Sequence, residues 1–590
     1  MNYNMNRNAN NMQNDFSIEN ARRGVLLVMC KTGLVALVVV FLSFALNVIS
    51  RSNLSRQLFS IQVNTSQSKK SYGSKANGIS NPHDPRFYNI ILEEEALKFK
   101  PCQDINKTAS VRHSKIKLSD RVNRTYNIGE EVLALVKLYD GYGNRKRTGG
   151  DHIRATLENK QLKASVPCVV TDNRNGTQTL VCEALWIGTA TINVLLAYTR
   201  ETVTSLYRIR TQGLATRHIF GMFKSRTYSK DINYSEVTTC HPNHTYFLYH
   251  ENNTAFCNFT YINSGLPFYC GKPKDKHLLC HDWEFVRTGD PFPELPITEC
   301  EDVLLKSGQH AFEQTVTVNI RNRNEDDRSS IKDEPSIPCS KYNRSLLWRS
   351  RETTGFFYNG EWKFRNCVGF KVSRYKKCLA HRRLYLFGDS TNRAWYSALL
   401  QCFKCEPITE KWGVERWHKD SECYNKQIDF KAGWYPHAQP FNVGEAWDDV
   451  KYTITSISRR IDNIPRNERA IVVIHVFLHM APYHHNVFTQ KIENIRKSVE
   501  TFLENNKHSV VMIKAPHTYV GTPAGGFRLS DYYGFVYSKI LYEVFEGLHD
   551  KVVLLNNKDS TIAQHVEWNH PPGNIINIMI DQMLSYACDY

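Results

Sequence analysis

After residue 49 the sequence has no uncharged apolar run long enough to cross a bilayer, which excludes a protein with several membrane spans. Acidic residues are in short supply, 58 Asp and Glu against 75 Lys and Arg, leaving a formal charge of +17. Asn-x-Ser/Thr triplets are missing before residue 50 and after Asn343. Paired cysteines at zinc spacing are also scarce. Cys402-Phe403-Lys404-Cys405 resembles half a site, and Cys423 supplies no second pair, so no metal is expected there.

What is present divides into segments. Residues 32–49 carry no charge and are almost all apolar, as a single membrane helix requires. A cleaved signal peptide is the rival reading, because Ser43 and Ala45 fit a small-x-small cleavage site, but the polar tail before it is long for that role. Basic residues do not orient the helix: Arg22, Arg23 and Lys31 precede it, and Arg51, Arg56, Lys69 and Lys70 follow it closely. Acceptor triplets do. They begin at Asn53, Asn64, Asn106, Asn123, Asn175, Asn233, Asn243, Asn252, Asn258 and Asn343, and fifteen of the sixteen cysteines also lie beyond the helix. Glycosylation and disulfides both belong to the lumen, so the expectation is a type II single-pass glycoprotein of the Golgi or cell surface. In that setting the basic charge meets sialic acids, sulfated glycans or anionic membranes, and nucleic acid is not an expected partner. An odd cysteine count leaves one thiol free or bonded to another chain.

The expected organisation is a cytosolic tail at 1–31, the helix at 32–49 and a polar stem at 50–100, followed by three folded parts. In 101–212, Val132, Ala134, Val136 and Leu138 alternate before the turn residues Asp140-Gly141-Tyr142-Gly143-Asn144. Further short runs follow at 153–157, 164–170, 179–186 and 189–198, which together predict an antiparallel β-sandwich. Cys168 and Cys182 flank a turn and are placed to bridge neighbouring strands. The segment 213–345 is rich in cysteine and poor in periodicity, which predicts loops stapled by disulfides. From 346 to 590, apolar strands at 384–387, 470–477, 509–514 and 551–555 alternate with helical patterns at 392–400, 487–503, 532–545 and 574–587. That alternation predicts a parallel sheet covered on both faces.

Reactive groups of such a sheet collect at the carboxyl ends of its strands. Gly388-Asp389-Ser390-Thr391 stands where a strand stops and a helix begins, and the helix N-terminus offers unpaired N–H groups to a developing oxyanion. Ser390 is therefore the candidate nucleophile. His570, in the stiff loop Asn569-His570-Pro571-Pro572-Gly573, is the candidate base, because the following proline biases its backbone to an extended form on the same sheet edge. Two carboxylates compete to orient its ring: Glu567, three residues earlier, and Asp559, just after a strand. Gly388, Asp389 and Arg393 complete the oxyanion and substrate candidates, with His479 as a further oxyanion donor. His475, His479, His484 and His485 invite a metal reading, but no carboxylate or cysteine accompanies them at ligand spacing.

Several blocks carry a resemblance. Thr354-Gly355-Phe356-Phe357-Tyr358, Trp362, Cys367, Cys378, the stretch 384–393, Leu529-Ser530-Asp531-Tyr532-Tyr533 and His570-Pro571-Pro572 resemble, in order and spacing, the neurexophilin and PC-esterase domain (NXPE) family. The resemblance implies a neurexophilin-like, Ig-type sandwich with a candidate protein partner, and a PC-esterase domain of the SGNH-hydrolase type. It implies O-acetyl transfer or hydrolysis on a glycan or glycoprotein, with Ser390 as nucleophile and His570 as base. No bound cofactor is implied; acetyl-CoA is a candidate acyl donor. The alternative is a catalytically inactive binding or adhesion protein. The sequence departs from the wider superfamily at position 567, where glutamate stands for the usual aspartate, and the identity of the acid stays open.

Overall fold

The computed structural model describes residues 87 and 89–589, apart from 120–123, 226–233, 252–254, 289–294, 323–330, 332–334, 350, 371–373, 409–418, 442–454 and 522–528. The expected tail, membrane helix and most of the stem lie outside the described residues, as do Asn53, Asn64, Asn123, Asn233 and Asn252. Among the described residues no helix is long and apolar enough to cross a membrane. The stem ends earlier than residue 100. Ile90 and Ile91 are buried, and the backbone of Ile91 is held by the hydroxyls of Tyr532 and Tyr207.

Alternating apolar residues build the sandwich as the pattern predicts. In the strand Glu131–Lys137, Val132, Ala134 and Val136 point inward and are fully buried. This strand belongs to a four-stranded antiparallel sheet with Lys115–Leu118, Thr177–Glu183 and Val169–Asp172. Its inner face shares one core with a second sheet built around His152–Asn159 and Gly188–Tyr198, through Leu180, Ile153, Leu157, Ile192 and Trp186. Cys168 and Cys182 bond across neighbouring strands. The strand His152–Asn159 is buried on both faces over its first six residues, because its outer face packs against the C-terminal part rather than water. The strands Gly355–Tyr358 and Glu361–Phe364 join this same sheet, so the sandwich takes in residues beyond the expected boundary at 346.

The cysteine-rich segment is more ordered than stapled loops. It holds a five-stranded antiparallel sheet, with Phe256–Asn258, Tyr269–Gly271, Ser235–His241, Ile219–Lys224 and Trp283–Thr288 side by side. Its strands escape a search for aliphatic alternation because cysteine occupies the inward, paired positions: Cys270 stands opposite both Cys240 and Cys257. The bonds Cys240–Cys270 and Cys257–Cys280 and the rings of Trp283, Phe259 and Phe268 make its core. Among the described residues seven disulfides form, consistent with a secretory or extracellular compartment, and Cys402 is left as an exposed thiol.

The C-terminal part runs β1 (Arg383–Gly388), α1 (Ser390–Cys402), β2 (Glu406–Pro407), β3 (Ser421–Asn425), β4 (Phe430–Pro436), β5 (Ala470–His475), α2 (His485–Asn505), β6 (Val510–Lys514), α3 (Tyr532–Val544), β7 (Val552–Leu555), α4 (Lys558–Ala563) and α5 (Gly573–Ala587). The sheet order is β2-β3-β4-β1-β5-β6-β7, with β4, β1, β5, β6 and β7 parallel and β2 and β3 antiparallel at one edge. The sequence pattern anticipates β1, β5, β6, β7 and four of the helices, and misses β2 to β4. Strand β1 is flanked by β4 on one side and β5 on the other, so the connections diverge at its carboxyl end and leave a crevice there.

Candidate active site

Gly388 ends β1 opposite both Pro436 of β4 and His475 of β5. Its φ is +140°, and a Cβ on it would lie 1.7 Å from the His475 carbonyl oxygen. Glycine is therefore demanded by close strand approach and backbone geometry. That packing, rather than contact with substrate, is the role the structure gives this residue. The approach lets the Asp389 N–H reach the same carbonyl at 3.3 Å and turns the chain into α1.

Asp389 does not face a substrate either. It is buried and caps α1, with Oδ1 accepting from the Thr391 N–H at 2.9 Å and the Thr391 hydroxyl at 2.8 Å. Its Oδ2 lies 3.5 Å from His475 Nε2. Burial alone would raise its proton affinity; His475, then His479 and Lys514, outweigh that and hold the carboxyl far below the usual range. Burial in turn pushes His475 down to about 4 against the pull of Asp389, and Lys514 down to about 7. Lys514, at the end of β6, donates to the Thr391 hydroxyl at 3.2 Å. A buried charged layer thus underlies the first turn of α1.

Ser390 opens that turn, and His570 comes from the loop between α4 and α5. Ser390 Oγ and His570 Nε2 are 2.7 Å apart, so the structure brings together two side chains 180 residues distant in sequence. Desolvation lowers the proton affinity of His570, with Asp389 opposing and Arg393 adding, which keeps the imidazole in its neutral form.

The oxyanion donors are fewer than a bare helix N-terminus suggests. The Thr391 N–H is taken by Asp389 Oδ1, and the N–H groups of Asn392 and Arg393 donate to the Asp389 carbonyl, which also accepts from Trp434 Nε1. Among the described residues the Ser390 N–H alone in this turn has no protein acceptor. His479 does not add to it. His437 Nδ1 donates to the Ala438 carbonyl at 2.7 Å, so its Nε2 accepts, at 2.9 Å, the proton carried on His479 Nδ1. Burial pushes His479 down to about 4, so its Nε2 is unprotonated and acts only as an acceptor. Arg393 sits 5.7 Å from the Trp434 ring, and burial lowers it to about 10.

Neither expected acid reaches the imidazole. Asp559 Oδ2 accepts from the Thr354 N–H and hydroxyl at 2.8 and 3.0 Å and from Asn556, which ties the start of the sandwich hairpin to α4. Glu567 is exposed, and its side chain makes no hydrogen bond to His570. A residue outside the expected set acts instead on the loop: His517, fully buried three residues beyond β6, donates from Nε2 to the Asn569 carbonyl at 2.9 Å. The rule that placed Ser390 at a strand's carboxyl end would have found it, since Ala515-Pro516-His517 follows β6 directly.

The four histidines of the metal reading part company. His475 and His479 join the Asp389 layer, while His484 and His485 face Glu93, a carboxylate far away in sequence. The ligand atoms of Glu93, His484 and His485 lie within 4.8 Å of one another. However, His484 Nδ1 accepts from the Asn486 N–H, which puts its proton on Nε2, 3.0 Å from Glu93. The arrangement suits a carboxylate–imidazole pair at the start of α2, and a metal at Nε2 would forfeit that cap.

Residues 362–588, which span the whole mixed sheet and both members of the Ser390–His570 pair, match a family model described as NXPE family member 4-like, C-terminal domain. Over these residues the chain carries the C-terminal domain of the NXPE family.

Proposed function

We propose that the chain is a membrane-anchored, lumenal O-acyltransferase or esterase in which Ser390 is the nucleophile and His570 the general base. The single observation that carries this reading is the 2.7 Å approach of Ser390 Oγ to His570 Nε2 at the carboxyl end of β1. The fold of the C-terminal part, with its crevice at the switch point, agrees with the SGNH-hydrolase type that the sequence resembles. Ser390 Oγ attacks the acetyl carbonyl as His570 Nε2 takes its proton, and the Ser390 N–H donates to the oxyanion. Collapse breaks the bond to the leaving thiol or alcohol, which departs with the proton from His570. A sugar hydroxyl or water then gives its proton to His570 and attacks the acetyl group on the serine, and as the acyl–oxygen bond breaks that proton passes from His570 to Ser390 Oγ, restoring both side chains. Acetyl-CoA is the proposed donor and a glycan the proposed acceptor.

Glycan chemistry is supported by Trp568, two residues before His570 and 58% exposed, whereas every other described tryptophan is at least half-buried. A flat apolar ring held in water two residues from the base suits stacking on the C–H face of a sugar. The lumenal placement is supported by the disulfides and by the exposure of all five described acceptor asparagines, Asn106, Asn175, Asn243, Asn258 and Asn343.

The test is turnover of a chromogenic acetyl ester by the purified full chain and by Ser390→Ala. Loss of the nucleophile is expected to lower the rate by about four orders of magnitude or more. Equal rates would refute the catalytic reading and leave the neurexophilin-like binding protein.

A further inference from the structure

His570 stands in a loop, and no described carboxylate hydrogen-bonds its ring, so something else must hold the imidazole against Ser390. The contacts that do so converge on one splint, residues 515–521, which follow β6 directly. From it His517 Nε2 donates to the Asn569 carbonyl, and the N–H groups of Val520 and Gly521 donate to the carbonyls of Val566 and Glu567 at 2.7 and 3.3 Å. The splint therefore runs beside the four residues that precede His570.

The splint is fixed in turn from the other domain. Asp531, fully buried at the start of α3, accepts the Tyr519 N–H at 2.9 Å. Its charge is met by Arg154 Nη2 at 2.8 Å and by the Tyr198 hydroxyl at 2.7 Å, from two adjacent strands of the sandwich. Arg154 Nη1 and Gln309 also donate to the Tyr519 carbonyl. The sandwich holds the near side of the histidine loop as well: Ser165 Oγ donates to the Ala563 carbonyl at 2.7 Å, and Glu158 Oε1 lies 2.5 Å from His565 Nε2. A carboxylate with no exposure requires its cation, so α3 and the sandwich strand must come together for this region to fold.

We propose that the sandwich is part of the catalytic apparatus: Arg154 and Tyr198 are positioning residues that act through Asp531 and His517 to hold His570 against Ser390. The proposal rests on the Ser390–His570 reading and adds that the C-terminal domain is not competent by itself.

The experiment uses the full chain and the chromogenic acetyl ester, with the paired variant Arg154→Met/Asp531→Asn, and with His517→Ala and His517→Gln. The pair is changed together because a single change would strand a buried charge, and the His517 variants keep the test open if the pair does not fold. A displacement of about 1 Å at the base corresponds to a loss of roughly 100-fold in kcat. The paired variant and His517→Ala are expected to lose kcat on that scale with KM nearly unchanged, and His517→Gln, which restores an N–H donor to Asn569, to recover most of it. Amide exchange at Val520 and Gly521 should accelerate in the paired variant while β1 and β5 stay protected. Folded variants with wild-type kcat and wild-type exchange in the splint would overturn the proposal. If the exchange responds but wild type and Ser390→Ala turn over alike, the catalytic reading fails and the brace stands as structure only.

Discussion

Gly388→Ala is the sharpest test of how β1 delivers Ser390. The added Cβ would sit 1.7 Å from the His475 carbonyl oxygen, at a φ of +140° that side chains other than glycine rarely adopt. Reaching an ordinary carbon–oxygen contact requires β1 and β5 to part by about 1.5 Å at that point. The opening lengthens the 3.3 Å bond from the Asp389 N–H to the same carbonyl beyond use. One lost buried hydrogen bond costs about 1 kcal/mol, the strained backbone about 1–3 kcal/mol, and overpacking a further 1–3 kcal/mol. A total of about 3–7 kcal/mol is a large share of the ~5–15 kcal/mol that stabilises an ordinary domain. Because Ser390 is two residues on, the same shift moves its hydroxyl away from His570, and esterase activity should fall by roughly 100-fold in the folded fraction. Denaturant midpoints and ester turnover read the two effects separately. Gly573→Ala is the control, since nothing lies within 4 Å of its added Cβ and it opens helix α5. A Gly388→Ala protein with wild-type midpoint and rate would refute the argument from strand approach.

Two further outcomes follow from the site. The base must be neutral to accept a proton, and desolvation lowers His570 below its ordinary 6.5, so the acid limb of the pH–rate profile should have its midpoint below that value; a midpoint at or above it would contradict the desolvation of the imidazole. Trp568→Ala should raise KM for an acetylated glycoside by about 10-fold or less, the worth of one stacking contact, and leave a small chromogenic ester untouched; equal effects on both substrates would remove the stacking role.

Much of the candidate site was legible in the sequence because two of its determinants are local. The glycine-bounded strand-to-helix turn at 388–390 and the proline-stiffened histidine at 570 each declare their backbone from neighbouring residues, and both fall on the edge where parallel strands end. The oxyanion and acid assignments were not legible. Whether a helix N–H is available depends on what its neighbours accept, and here Asp389 and its carbonyl consume three of them. Likewise His479 lost its donor to His437, and Asp559 was spent on Thr354, through contacts across 42 and 205 residues.

The sequence by itself determined the strand and helix alternation of the C-terminal part, the alternating core of the sandwich and the positions of the serine and histidine, because periodicity and turn chemistry act within a few residues. Only the tertiary structure decided that the cysteine-rich segment is a sheet, that Arg154 of the sandwich pairs with Asp531, and that His517 bonds to the Asn569 carbonyl in the histidine loop. Those features depend on which distant groups are desolvated together, and a buried charge or hydrogen-bond donor acquires its partner only when the chain has closed around it.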